Sequence, residues 1–68
     1  MRENLKAARR AAGLTQRAMA DNLGLSLIGY TQIERGVRTG KIETWDKLED
    51  ILGVHQRILR EQSNSPET

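Results

Sequence analysis

The sequence predicts an all-α fold of five short helices in one small domain, and three observations predict it. Apolar residues recur at helical spacings: Leu5 and Ala8; Met19, Ala20 and Leu23; Tyr30 and Ile33; Trp45, Leu48, Ile51 and Leu52; Ile58 and Leu59. Glycines stand where most of these stripes stop, at Gly13, Gly24, Gly36 and Gly53. Thr15 and Ser26 stand where the next stripes begin, and a hydroxyl there accepts from a free helix N–H.

The first helix is expected over residues 2–12. Leu5, Ala8 and Ala12 fall at i, i+3 and i+7 and make a narrow inward stripe, with Lys6, Arg9 and Arg10 on other faces. Gly13 is placed to end it in a left-handed cap. Leu14 then packs inward, and Thr15 caps a second helix that begins at Gln16. Leu23-Gly24-Leu25 is a tight turn in which Gly24 supplies a backbone angle that other residues adopt only with strain. Ser26 caps a third helix over residues 27–35, and Gly36 closes it. Ala20 is small, as two helices joined so tightly require where they touch. Residues 16–35, QRAMADNLGLSLIGYTQIER, therefore carry the grammar of a helix-turn-helix.

A basic loop with Arg38 and Lys41 follows over residues 37–41. The fourth helix is expected over residues 42–52, with Trp45 as its large core aromatic. Asp46, Glu49 and Asp50 occupy its other faces and would turn it away from a polyanion. After Gly53, Val54 leads into a fifth helix over residues 55–61, with Ile58 and Leu59 as its apolar side. Residues 1–62 are read as the domain, and the polar, Pro-containing residues 63–68 as a disordered tail.

Composition narrows the function. A chain of 68 residues buries only about 60% of the surface it exposes when unfolded, so oligomerisation is a plausible source of further stability. No Cys is present to make a disulfide or a thiolate metal site. The single His55 has no second His or Cys to join it on a metal, and Asp21 has no visible acid–base partner. Neither an enzyme, a metal nor a cofactor is expected. No apolar run approaches the roughly 20 residues of a membrane span, and the N-terminus lacks the apolar stretch of a secretory signal. A cytoplasmic protein with no membrane partner is expected. Charge is unevenly placed: residues 1–41 hold eight Lys and Arg against three Asp and Glu, a net +5. Residues 42–68 hold three against six, a net −3. A basic half carrying a helix-turn-helix suits a polyanion.

Leu5-Lys6, Arg9, Gly13-Leu14-Thr15-Gln16, Met19-Ala20, Leu23-Gly24-Leu25-Ser26, Ile33-Glu34-Arg35-Gly36 and Leu52-Gly53-Val54 occur in a telling order and spacing. Together they resemble the phage-repressor, Cro-like (XRE-type) family of transcription regulators, over residues 5–59. The resemblance implies the five-helix lambda-repressor-like helix-turn-helix DNA-binding domain. It also implies sequence-specific binding of double-stranded DNA by a regulator, read as a repressor, of a bacterium, phage or mobile element.

By this resemblance the third helix reads the major groove through Leu27, Ile28, Thr31 and Gln32. The Gln32 amide can pair in bidentate fashion with N6 and N7 of adenine. Leu27 and Ile28 stand where many relatives carry polar residues; they can pack on thymine methyl groups, turn inward or contact a protein. Gln16 would clamp a backbone phosphate beside the free N–H groups of its helix. Arg17, Arg35, Arg38 and Lys41 would add phosphate contacts. Glu34 would pair with Arg9 and hold the first helix against the third. Gly40 stands where relatives commonly have proline, which leaves the loop's course open. Gly29 costs about 1 kcal/mol relative to alanine in mid-helix. It either lets the backbone approach DNA or is a tolerated weakness on an exposed face. Val54, Ile58 and Leu59 would build a twofold dimer contact, or else only close the monomer core. No ligand domain is visible, so no small-molecule ligand is expected. A second reading is an antitoxin-like or adaptor module in which Leu27 and Ile28 bind a partner protein.

Overall fold

The computed structural model describes residues 1–62. Its helices are α1 (Glu3–Ala11), α2 (Gln16–Leu23), α3 (Leu27–Arg35), α4 (Ile42–Leu52) and α5 (Gln56–Leu59), with no strand among the described residues. The expected tail over residues 63–68 lies outside the described residues. No described helix is long and apolar enough to cross a membrane.

The two helix starts marked by hydroxyls form as their side chains dictate. Thr15 Oγ1 accepts from the Ala18 N–H at 3.0 Å, and Ser26 Oγ accepts from the Gly29 N–H at 3.0 Å. Gly24 turns the chain between α2 and α3 at φ 70°. Leu5, Met19, Ala20, Leu23, Tyr30, Ile33, Trp45, Leu48 and Leu59 close into one core. All five helices contribute to it, which is how a chain this short achieves full burial of its two largest side chains.

Four expectations need correction. The inward stripe of α1 does not extend to Ala12, which is exposed, and Ala8 is only half-buried. Arg2 and Arg9 are buried instead, because polar acceptors of α3 and its flanking segments meet this helix. On α4, Ile51 is partly exposed, since six residues from Trp45 turns it well off the Trp45–Leu48–Leu52 line. The fifth helix is one turn, with His55 outside it as the cap; His55 Nδ1 accepts from the Arg57 N–H at 3.0 Å. Its extension toward Glu61 stops where Asn4 of α1 and Arg2, which precedes α1, take carbonyls: Asn4 Nδ2 donates to Ile58 O at 3.3 Å and Arg2 Nε to Arg60 O at 3.0 Å. Finally, Leu59 is fully buried in the core of the single chain and has no surface to offer a second copy.

Gly40 explains why this loop lacks proline. Its φ is +85°, which the proline ring forbids. A Cβ there would also lie 3.3 Å from both Ile33 Cδ1 and Trp45 Nε1. Gly40→Ala is therefore expected to lower stability by about 1–2 kcal/mol in urea denaturation. An unchanged midpoint would mean that the loop adopts another course.

Candidate nucleic-acid interface

The inner side of α3 is fixed by a carboxylate with four donors. Arg9 Nε donates to Glu34 Oε2 at 2.8 Å and Arg9 Nη2 to Oε1 at 3.2 Å. Tyr30 OH donates to Oε2 at 2.7 Å, and Gln16 Nε2 to Oε1 at 2.9 Å. Arg9 Nη1 reaches on to Leu14 O at 2.7 Å, so α1, the segment before α2, α2 itself and α3 meet at one point. Burial alone would raise the Glu34 carboxyl, but hydrogen bonds from Arg9, Tyr30 and Gln16, with the Arg9 charge, hold it below the ordinary value. Its hydrogen bond to Glu34 raises Arg9 against the effect of burial. Burial, then the hydrogen bond to Glu34, pushes the Tyr30 phenol up, so it stays a donor. Two of the basic half's eight cations, Arg2 and Arg9, are thus interior groups and not surface charge.

The outer side of α3 differs. Ile28 is 70% exposed, and Leu27, Thr31 and Gln32 are half-buried. Thr31 Oγ1 donates back to Ile28 O at 2.9 Å. Gln32 makes no side-chain hydrogen bond among the described residues. Gly29 is buried and not on an exposed face, which corrects that expectation. A Cβ there would lie 3.1 Å from the Ser26 hydroxyl and 3.7 Å from Arg38 Nη1. The missing side chain makes room for the cap.

Arg17, Arg35, Arg38 and Lys41 are all exposed and form no ion pair among the described residues. Arg38 and Lys41 share the rim of a cleft of about 590 Å³ that runs from Gly24 and Gly29 to Thr44 and Lys47. The cleft's one carboxylate is Glu43. Gln16 is half-buried with its amide nitrogen on Glu34, so only its remaining proton and its oxygen are free.

The loop that carries Arg38 and Lys41 is pinned from behind. Its backbone begins on Gln32 O, which accepts from the N–H groups of Val37 at 2.9 Å and Arg38 at 3.2 Å. Arg2 Nη1 donates to Ile33 O at 2.6 Å and to Arg38 O at 2.9 Å. Trp45 Nε1 donates to Thr39 O at 2.7 Å, and the Arg2 guanidinium carbon sits 5.2 Å from the centre of the Trp45 ring. Lys41 caps α4, its carbonyl accepting from Thr44 at 3.0 Å and Trp45 at 3.2 Å. The two cationic side chains are free while their backbone is held.

A family model described as Helix-turn-helix matches residues 5–55, a span that begins in α1 and takes in α2, α3 and α4. The chain belongs to this helix-turn-helix family. Two curated helix-turn-helix proteins of Bacillus subtilis (strain 168) are similar to it. One is the SPbeta prophage-derived uncharacterized HTH-type transcriptional regulator YonR, 40% identical over 57 residues, which are 84% of this chain and 53% of that protein. The other is the uncharacterized HTH-type transcriptional regulator YqaE, 40% identical over 63 residues, 91% of this chain and 54% of that protein. The chain spans about half the length of the curated relatives it matches. No solved structure matches it significantly.

Two features of this helix-turn-helix domain escape a reading of the sequence. Arg2 is one, since a cation beside a helix start ordinarily reads as solvated. The Gln16–Glu34 contact is the other. A signal for it lies in the helix spacing, because Tyr30 and Glu34 share a face four residues apart and that face turns toward the start of α2.

Proposed function

We propose that this helix-turn-helix domain binds double-stranded DNA in a sequence-specific way and acts as a transcriptional repressor, with α3 in the major groove. The observation that carries the reading is the division of α3. Its inner side is locked to the core, while Ile28, Thr31 and Gln32 are at least partly open, and Arg17, Arg35, Arg38 and Lys41 are exposed and unpaired among the described residues. Gln32 would read adenine, and Ile28 and Leu27 a thymine methyl group. Gln16, Arg17, Arg35, Arg38 and Lys41 would hold phosphates and set the register. The helix-turn-helix relatives named as transcriptional regulators support the same reading. A dimer through α5 would use Ile58, 44% exposed, with the half-buried Val54, and would set its reading helices about 34 Å apart.

Selection of bound duplexes from random-sequence DNA tests this. A short recurrent half-site is expected, doubled as a palindrome if the domain dimerises. Arg38→Gln and Lys41→Gln should each lower the slope of log affinity against log salt by about one unit. Gln32→Ala should instead relax preference at one base, worth about 1–3 kcal/mol. The exposure of Ile28 also suits an adaptor or antitoxin-like surface for a protein. Absence of salt-dependent retention on DNA would favour that reading and end the first.

A further inference from the structure

A second cavity, of about 470 Å³, is walled by Arg2, Thr39, His55, Gln56, Arg57 and Arg60. Three guanidiniums and an imidazole line it, and no carboxylate does. Asp46 and Glu49 of α4 accept from Gln56 Nε2, at 2.8 and 3.1 Å, but are not among its walls.

Arg2 is the built part of this site, only 5% exposed. Its Nε and Nη1 are committed to the carbonyls of Arg60, Ile33 and Arg38. Nη2 has no hydrogen-bond partner among the described residues, so it is the edge left for the cavity. Carbonyls satisfy donors but supply no counter-charge, and Arg2 pairs with no carboxylate among the described residues. Burial, then the neighbouring Arg60 charge, holds the Arg2 guanidinium below the ordinary arginine value. Arg57 and Arg60 are exposed and unpaired among the described residues. His55 Nδ1 already accepts from the Arg57 N–H, so in the neutral ring Nε2 carries the proton and is one more donor.

We propose that this cavity binds a phosphate oxyanion, held by the Arg2 Nη2 edge and by Arg57 and Arg60. Guanidinium forks suit the oxygens of a phosphate in geometry and in charge, whether it is free phosphate or the singly charged diester of a nucleic-acid backbone. The anion would relieve the repulsion between Arg2 and Arg60. Two sources share this chemistry: free phosphate, which does not depend on the DNA reading, and a backbone phosphate of bound DNA, which does.

The sole tryptophan supplies the readout, because the Trp45 ring lies 5.2 Å from the Arg2 guanidinium carbon. Inorganic phosphate is titrated at constant ionic strength against the wild type, R57Q/R60Q and R57K/R60K. Circular dichroism checks that each is folded. A free-phosphate site gives a saturable change in Trp45 emission and a rise of several degrees in Tm, lost in R57Q/R60Q and kept in R57K/R60K. A site for backbone phosphate gives no response to inorganic phosphate, but a DNA salt slope lower by about two units in R57Q/R60Q only. Two results overturn the proposal. One is an equal phosphate response in all three proteins; the other is no phosphate response together with an unchanged slope. Failure to bind any DNA would remove the second arm and leave the phosphate titration decisive.

Discussion

Glu34→Ala is expected to lower stability by about 3–5 kcal/mol, the usual penalty for leaving one partner of a buried ion pair alone. The Arg9 guanidinium would keep its charge in the interior, with only Leu14 O as acceptor. Tyr30 OH and Gln16 Nε2 would lose their acceptor with it. A domain this small holds in total only on the order of 5 kcal/mol, so much of the population should be unfolded at room temperature. Glu34→Gln keeps the volume but brings an amide to face donors, and should do little better. Circular dichroism against urea measures both. A loss below about 1 kcal/mol would mean that water replaces the carboxylate and the interior is not closed. The same group sets the response to acid. Its carboxyl lies below the ordinary value when folded and returns to it when unfolded. Its contribution is therefore complete above the ordinary carboxylate pKa and is lost as pH falls through the folded value. Tm of the wild type should hold above the ordinary carboxylate range and drop as pH falls below it.

Trp45→Ala is the second large effect, about 3–5 kcal/mol for removing a fully packed indole. The ring touches more than the core: its Nε1 holds Thr39 O and its face holds the Arg2 guanidinium. Losing it should therefore free the loop over residues 37–41 as well as open a cavity. Trp45→Phe separates the two effects. It keeps most of the packing, leaves Thr39 O without its donor, and should cost about 1–3 kcal/mol. If the loop positions Arg38 and Lys41 for phosphate, that variant should also bind DNA with a lower salt slope while still folded. An unchanged slope would show that the loop keeps its course without the indole.

What was legible in the sequence was local. Thr15 and Ser26 mark helix starts because a hydroxyl can reach the N–H three residues on, and Gly24 marks a turn because its φ is positive. The Arg9–Glu34 contact followed from resemblance and not from spacing, since 25 residues separate the pair. Periodicity names the side of a helix that must be covered but not what covers it. Arg2 was illegible for that reason: its acceptors lie 31, 36 and 58 residues away. The core place of Leu59, which the sequence leaves open, and the burial of Gly29 are hidden on the same ground. Each sits on a short element whose neighbours, and not whose own pattern, decide exposure.

The Glu34 carboxylate receives four donors on two oxygens, which fills the lone-pair directions it has. Nothing further can be added there, and nothing can be removed singly without leaving an empty place. Positions 9, 16, 30 and 34 can change only as a set, whereas positions 28, 31 and 32 carry no such obligation. A protein engineer could thus re-letter the outward flank of this one helix toward a different target and leave the architecture standing.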